Sequence, residues 1–238
     1  MTQDDTPDLP ASGRTLAEAA YGALKADILS GALLPGAALL TRELMARYGC
    51  GVSPLREALA RLVAEGMLEA SSHRGVRVPL PTLADLDDIY RIRIALEREA
   101  VTLAMAHGDD RWEAGIVASL HRLERAPLPE KSGGSLRDWE ARHRAFHASL
   151  IAAAPAPRLL RLIDQMVDQS ERYRALRLGH FAPDKVDGFV AEHRDLTNAV
   201  IDRRPDAADL LAGHLEGSRA FVAGLLARAG QEPRAVAL

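Results

Sequence analysis

Four of the eight histidines fall where they could share one metal ion. His143 and His147 stand four residues apart, on one face of a helix, so both imidazoles can reach the same point. His193 and His214 lie in two later segments with helical apolar spacing. A helical bundle can turn such side chains toward a common centre, and four neutral imidazoles suit zinc, nickel or another late first-row metal. Spacing alone leaves each of them a second reading, as a surface or packing residue. The run Glu140-Ala141-Arg142-His143 adds a third, because Glu-x-x-His pairs build metal-dependent helical-bundle enzymes. Such bundles need two of these runs and two further inward glutamates, and no second run ends at His193 or His214. The chain also lacks a Gly-rich phosphate loop, a Gly-x-Ser-x-Gly elbow and a His-Glu-x-x-His run.

A second group of chemistry-bearing residues is cationic and belongs to the first third of the chain. Arg42 and Arg47, Arg56 and Arg61, and Arg74 and Arg77 fall in three successive elements. A guanidinium donates two parallel hydrogen bonds, which suits phosphates and the edge of guanine. The free N–H groups of a helix beginning near Ser53 to Arg56 would favour a phosphate as well. The same arginines on another scaffold would be a solvated face, so the elements that carry them decide.

From Leu16 a helix is expected, with Leu16, Ala20, Leu24, Ile28 and Leu29 on its buried face and Gly31 ending it. Pro35-Gly36 makes a turn, and Thr41 can cap a short helix through Tyr48. After a turn at Gly49 to Gly51, Ser53-Pro54 pairs a cap with proline and opens a helix that Gly66 stops. Two β-prone stretches, Met67 to Ala70 and Val76 to Val78, flank a polar turn and predict a hairpin. Three helices followed by a hairpin are the element order of a winged helix-turn-helix. Pro79 and Pro81 mark a linker, after which long helical patterns run on. Helices are expected from Thr82 to Ala106, Asp110 to Arg125, Leu136 to Ala153, Arg158 to Leu178, Asp184 to Asp202 and Ala207 to Ala229. This gives a flexible arm over 1–13, a DNA-binding domain over 14–79, a helical domain over 80–230 and a flexible tail over 231–238.

Composition sets the outer limits. Residues are 47% apolar but only 4% aromatic, rich in Ala and Leu, which suits a mainly α chain. Cys50 is the single cysteine, so neither an internal disulfide nor a zinc-thiolate cluster can form, and a reducing cytoplasm is expected. No apolar run approaches the roughly 20 residues that span a bilayer, so no membrane partner is expected. The formal net charge of -3 argues mildly against nucleic acid, so that partner must rest on local charge.

Several motifs then fall in order: Leu34-Pro35-Gly36, Leu40-Thr41-Arg42-Glu43-Leu44, Pro54-Leu55-Arg56-Glu57-Ala58-Leu59, Glu65-Gly66-Met67-Leu68 and Gly75-Val76-Arg77-Val78. Over residues 16–78 they resemble the GntR family of bacterial regulators. Leu83 to Ala223 is similar to the FCD effector domain of that family's FadR branch, through Ile89-Tyr90-Arg91-Ile92-Arg93, Phe146-His147, Glu192-His193 and His214. The resemblance implies a mainly α chain, a winged helix-turn-helix followed by an all-α antiparallel bundle. It implies that Arg42, Ser53 and Arg56 contact double-stranded operator DNA, with His73 and Gly75 at the hairpin tip. It implies that His143, His147, His193 and His214 hold a divalent transition metal, zinc or alternatively nickel, and that Arg93, Arg172 and Tyr173 face a small carboxylate effector. A homodimeric, nucleoid-associated repressor of metabolic genes follows as the family expectation. Two departures matter. Val52 stands where the family commonly has a base-reading arginine, and His143 stands where it usually has aspartate. The second exchange removes a hard anionic oxygen, which favours zinc or nickel over manganese or magnesium.

Overall fold

The computed structural model describes residues 15–71, 75–126, 136–174 and 186–229. The expected N-terminal arm, the C-terminal tail and His73 lie outside the described residues. The chain divides into two compact units, one of Met1–Ile28 with Ala32–Pro79 and the other of Leu29–Gly31 with Leu80–Leu238.

In the first unit α1 (Leu16–Leu29) buries Ala17, Ala20, Leu24 and Ile28, spaced for one helical face. Leu16, expected on that face, is 66% exposed, and its neighbour Ala17 is buried instead. Thr15 Oγ1 accepts the Glu18 N–H and Glu18 answers from Thr15 N–H, a reciprocal capping box. Next come α2 (Thr41–Tyr48), closed by left-handed Gly49, and α3 (Val52–Ala64). Ser53 is not the cap of α3. The helix starts two residues earlier than expected, Gly51 holds the cap position without a side-chain bond, and Pro54 lies in the first turn, where a missing N–H costs nothing.

Two strands, β2 (Glu69–Ser71) and β3 (Gly75–Arg77), form the expected hairpin, and a third, β1 (Ala38–Leu39), joins the other edge of β3. All pairings are antiparallel, with Ala38 opposite Arg77 on one side of β3 and Glu69 opposite Arg77 on the other. β1 comprises only two residues, too few to show an alternating pattern. The backbone bond from Gly36 N–H to Val78 O prolongs this edge.

Among the described residues the regular elements of the second unit are all helices: α4 (Leu83–His107), α5 (Asp110–Glu124), α6 (Leu136–Ile151), α7 (Pro157–Arg174), α8 (Val186–Ile201) and α9 (Ala207–Ala229). Thr82 caps α4 through its bond from Asp85 N–H, and Asp109 caps α5 through Trp112 N–H. α4 packs chiefly on α9 and α7, and α5 on α6 and α8. Leu86, Tyr90, Val101, Phe146, Leu150 and Leu211 are among the side chains of one continuous core. Among the described residues no helix is long and apolar enough to cross a membrane.

Gly108, between α4 and α5, is a close approach, for a Cβ there would sit 1.9 Å from Trp112 Cε3. Trp112 cannot yield, because its indole N–H is bonded to Ser149 O at 2.9 Å and the ring is buried. Gly108→Ala is therefore expected to cost about 1–3 kcal/mol by overpacking. Its melting temperature should fall by roughly 2–4 °C for each kcal/mol, and an unchanged melting curve would contradict this close approach.

Candidate metal centre and nucleic-acid interface

α3 buries Leu55, Ala58, Leu59 and Leu62, which leaves Val52, Ser53 and Arg56 exposed on its outer flank. Arg42, in the first turn of α2, is exposed too. The arginines noted in the sequence then separate. Arg47 pairs with Asp27 at 2.7 Å, and Tyr48 donates to the same carboxylate. Arg61 pairs with Glu65 at 3.0 Å and lies 3.8 Å over the Tyr21 ring, whose hydroxyl also donates to Glu65. Burial, then the Glu65 carboxylate, raises the Tyr21 pKa, so the phenol stays a neutral donor. Arg77 pairs across the hairpin with Glu69. Among the described residues Arg42 and Arg56 carry no such ion pair, so their donors remain available to an outside anion. Gly75 is half-buried beside Leu39 O.

The four histidines come together. α6 supplies His143 and His147, α8 supplies His193 and α9 supplies His214, and one ligand nitrogen from each lies within 4.8 Å of all the others. The Nε2 atoms of His143 and His147 are 3.1 Å apart. Metal–nitrogen bonds of about 2.0–2.1 Å would separate neighbouring nitrogens by roughly 3–4 Å, so the donor set fits a divalent transition ion with little movement. His143, His147 and His193 are only 1–6% exposed. Aromatic walls hold the rings: Trp139 stacks on His143 at 5.0 Å, and Phe146 abuts both His147 and His193. Carboxylates stand behind two of them. Glu192 is 3.2 Å from His214 Nδ1, and Glu140 is 4.0 Å from His143 Nδ1. Glu140 of the Glu-x-x-His run thus stands near a histidine but outside the donor set.

A cavity of about 280 Å³ opens beside His143 and His147, bounded by Arg93 and Glu97 of α4 and by Ile163 and Val167 of α7. Arg93 is therefore on the cavity, yet its Nε is bonded to Glu97 and its Nη1 to Ser170 at 3.0 Å. This pair, 4% and 2% exposed, neutralises itself. Arg172 and Tyr173 are elsewhere. Arg172 pairs with Asp85 at 3.0 Å, and the Tyr173 hydroxyl donates to Asp85 and accepts from Thr82 N–H at 3.3 Å. Neither lines this cavity, and Asp85 lies eight residues, about 12 Å of helix, from Arg93. Burial and the Asp85 hydrogen bond push the Tyr173 phenol up to about 12. Glu97 and Arg144 are cavity residues that the sequence reading missed. Arg144 bonds Asp164 and Asp168 at 2.6 Å and Glu171 at 3.1 Å. Burial works against its charge, but those carboxylates outweigh it and hold the guanidinium above its ordinary pKa.

Removing one partner of the Arg93–Glu97 pair strands a buried charge. Glu97→Ala is expected to cost about 3–5 kcal/mol, and Arg93→Met with Glu97→Leu much less. Urea unfolding of the two variants checks this, and equal midpoints would rule out an uncompensated charge as the cause.

Comparison with known proteins decides the lineage. Residues 16–78 match the bacterial regulatory proteins of the gntR family, and residues 88–217 match the FCD domain. The chain belongs to the GntR family. It is 35% identical over 198 residues to the HTH-type transcriptional repressor GlaR of Escherichia coli (strain K12), covering 82% of this chain and 90% of that protein. It is also 35% identical to the HTH-type transcriptional regulator BphR of Paraburkholderia xenovorans (strain LB400), covering 92% and 90%. In structure it resembles E. coli McbR/YncC, with a TM-score of 0.77, 26% identity and coverage of 89% and 98%. As a GntR-family chain with an FCD domain it is a transcriptional regulator and not an enzyme, which disposes of the enzyme reading of Glu140 and His143.

Proposed function

We propose that this GntR-family regulator is a metabolite-responsive repressor that binds a palindromic operator as a homodimer, in the cytoplasm at the nucleoid. Arg42, Ser53 and Arg56 take the DNA together with His73 and Gly75. The observation that carries the sensing half is the set of four imidazole donors within 4.8 Å of one another beside a 280 Å³ cavity. His143, His147, His193 and His214 would hold zinc, or alternatively nickel, which supplies a Lewis-acid anchor for a carboxylate oxygen. Around that anchor the chain's own groups sort ligands. Arg93 keeps its Nη2 donors for a second oxygen, Glu97 accepts a hydroxyl, and Ile163 and Val167 cover the carbon skeleton. A small organic or sugar acid matches this lining. Repression accords with the similarity to GlaR, a transcriptional repressor. Effector binding then lowers operator affinity, a coupling typically worth 5–150-fold. Fluorescence anisotropy with an operator duplex selected from a random pool checks this, with and without zinc and a panel of organic and sugar acids. An affinity that none of the acids moves would defeat the sensing role.

A further inference from the structure

We propose that Val52 reads sequence, selecting thymine through its 5-methyl group. Val52 is the first residue of α3 and is 43% exposed, although the helix has a complete buried face without it. It stands one turn before Arg56, on the same flank, with exposed Ser53 between them. That flank therefore offers an isopropyl group, a hydroxyl and a guanidinium without an ion pair among the described residues. Its occupant is DNA, because residues 16–78 match a DNA-binding regulator family. The element order makes α3 the helix that enters the major groove. There, phosphates, purine edges and the cytosine amine are polar, and an apolar side chain against them would lose hydration without return. The thymine methyl is the one apolar feature on the base edges. A β-branched valine is also stiff at χ1, so little rotamer freedom is lost on contact.

This inference rests on the DNA-binding role and deepens it. The full-length protein is first used to select sites from a random duplex pool. Each thymine of the selected site is then replaced by deoxyuridine, which removes only the methyl. Wild type is expected to lose affinity roughly threefold to fivefold at one thymine per half-site. Val52→Ala is expected to ignore that replacement, and Val52→Arg to select guanine at the same position. If no methyl matters to wild type, or if Val52→Ala keeps the same sensitivity, the inference is overturned. Selection of no sequence at all would instead bring down the operator-binding reading, and this inference with it.

Discussion

Protein prepared without chelator is expected to carry about one transition-metal ion per chain, and the His147→Ala/His193→Ala variant essentially none. The two substitutions remove donors from different helices, α6 and α8, so no pair of the remaining imidazoles comes from one helix. Both residues are buried against Phe146, and alanine there takes polar groups out of the core rather than stranding them. Helicity is therefore expected to survive, and circular dichroism separates loss of metal from loss of fold. For the wild type, an ion bound only by the folded chain adds about 4 kcal/mol at a thousandfold excess over its Kd. Chelation should lower the melting temperature of wild type and leave that of the double variant unchanged. Metal analysis that finds full occupancy in the double variant would remove these histidines from the site.

Arg56→Ala is expected to weaken specific operator binding by about tenfold to a hundredfold per half-site, the range for losing a bidentate base contact. Arg61→Ala is the control on the same helix. Its guanidinium is spent on Glu65 and the Tyr21 ring, so its loss should lower stability modestly and spare affinity. Anisotropy titrations at several salt concentrations add a further distinction. A base contact leaves the salt slope of Arg56→Ala near that of wild type, whereas a phosphate contact lowers it by about one per site. Undiminished affinity for Arg56→Ala would end its assignment to DNA.

The helices were legible because Ala and Leu recur at helical spacing, and the caps at Thr82 and the stop at Gly66 announced their ends. The Thr15 and Glu18 capping box carried a readable Thr-x-x-Glu signature that the apolar pattern overshadowed. The four histidines could be nominated from spacing and resemblance, but only packing tells whether three helices turn them to one point. The arginines divide for a similar reason. Glu65 is one turn from Arg61 and could have been suspected, whereas Asp27 reaches Arg47 from another helix, twenty residues away. Arg93 and Glu97 showed their i,i+4 relation, yet nothing in it told that the pair is buried. Arg172 and Tyr173 shared a helix with the cavity wall, and helical phase alone did not reveal that their partner is Asp85.

The tie between Tyr173, Arg172 and the first turn of α4 has a mechanical side. α7 is a wall and a tether in one helix: Ile163 and Val167 border the cavity, and about 8 to 15 Å farther along Arg172 and Tyr173 grip Asp85 and Thr82. Thr82 follows directly on the Pro79 to Pro81 stretch by which the chain leaves the DNA-binding unit. The same helix that borders the cavity therefore also fixes the start of α4, through Asp85 and Thr82.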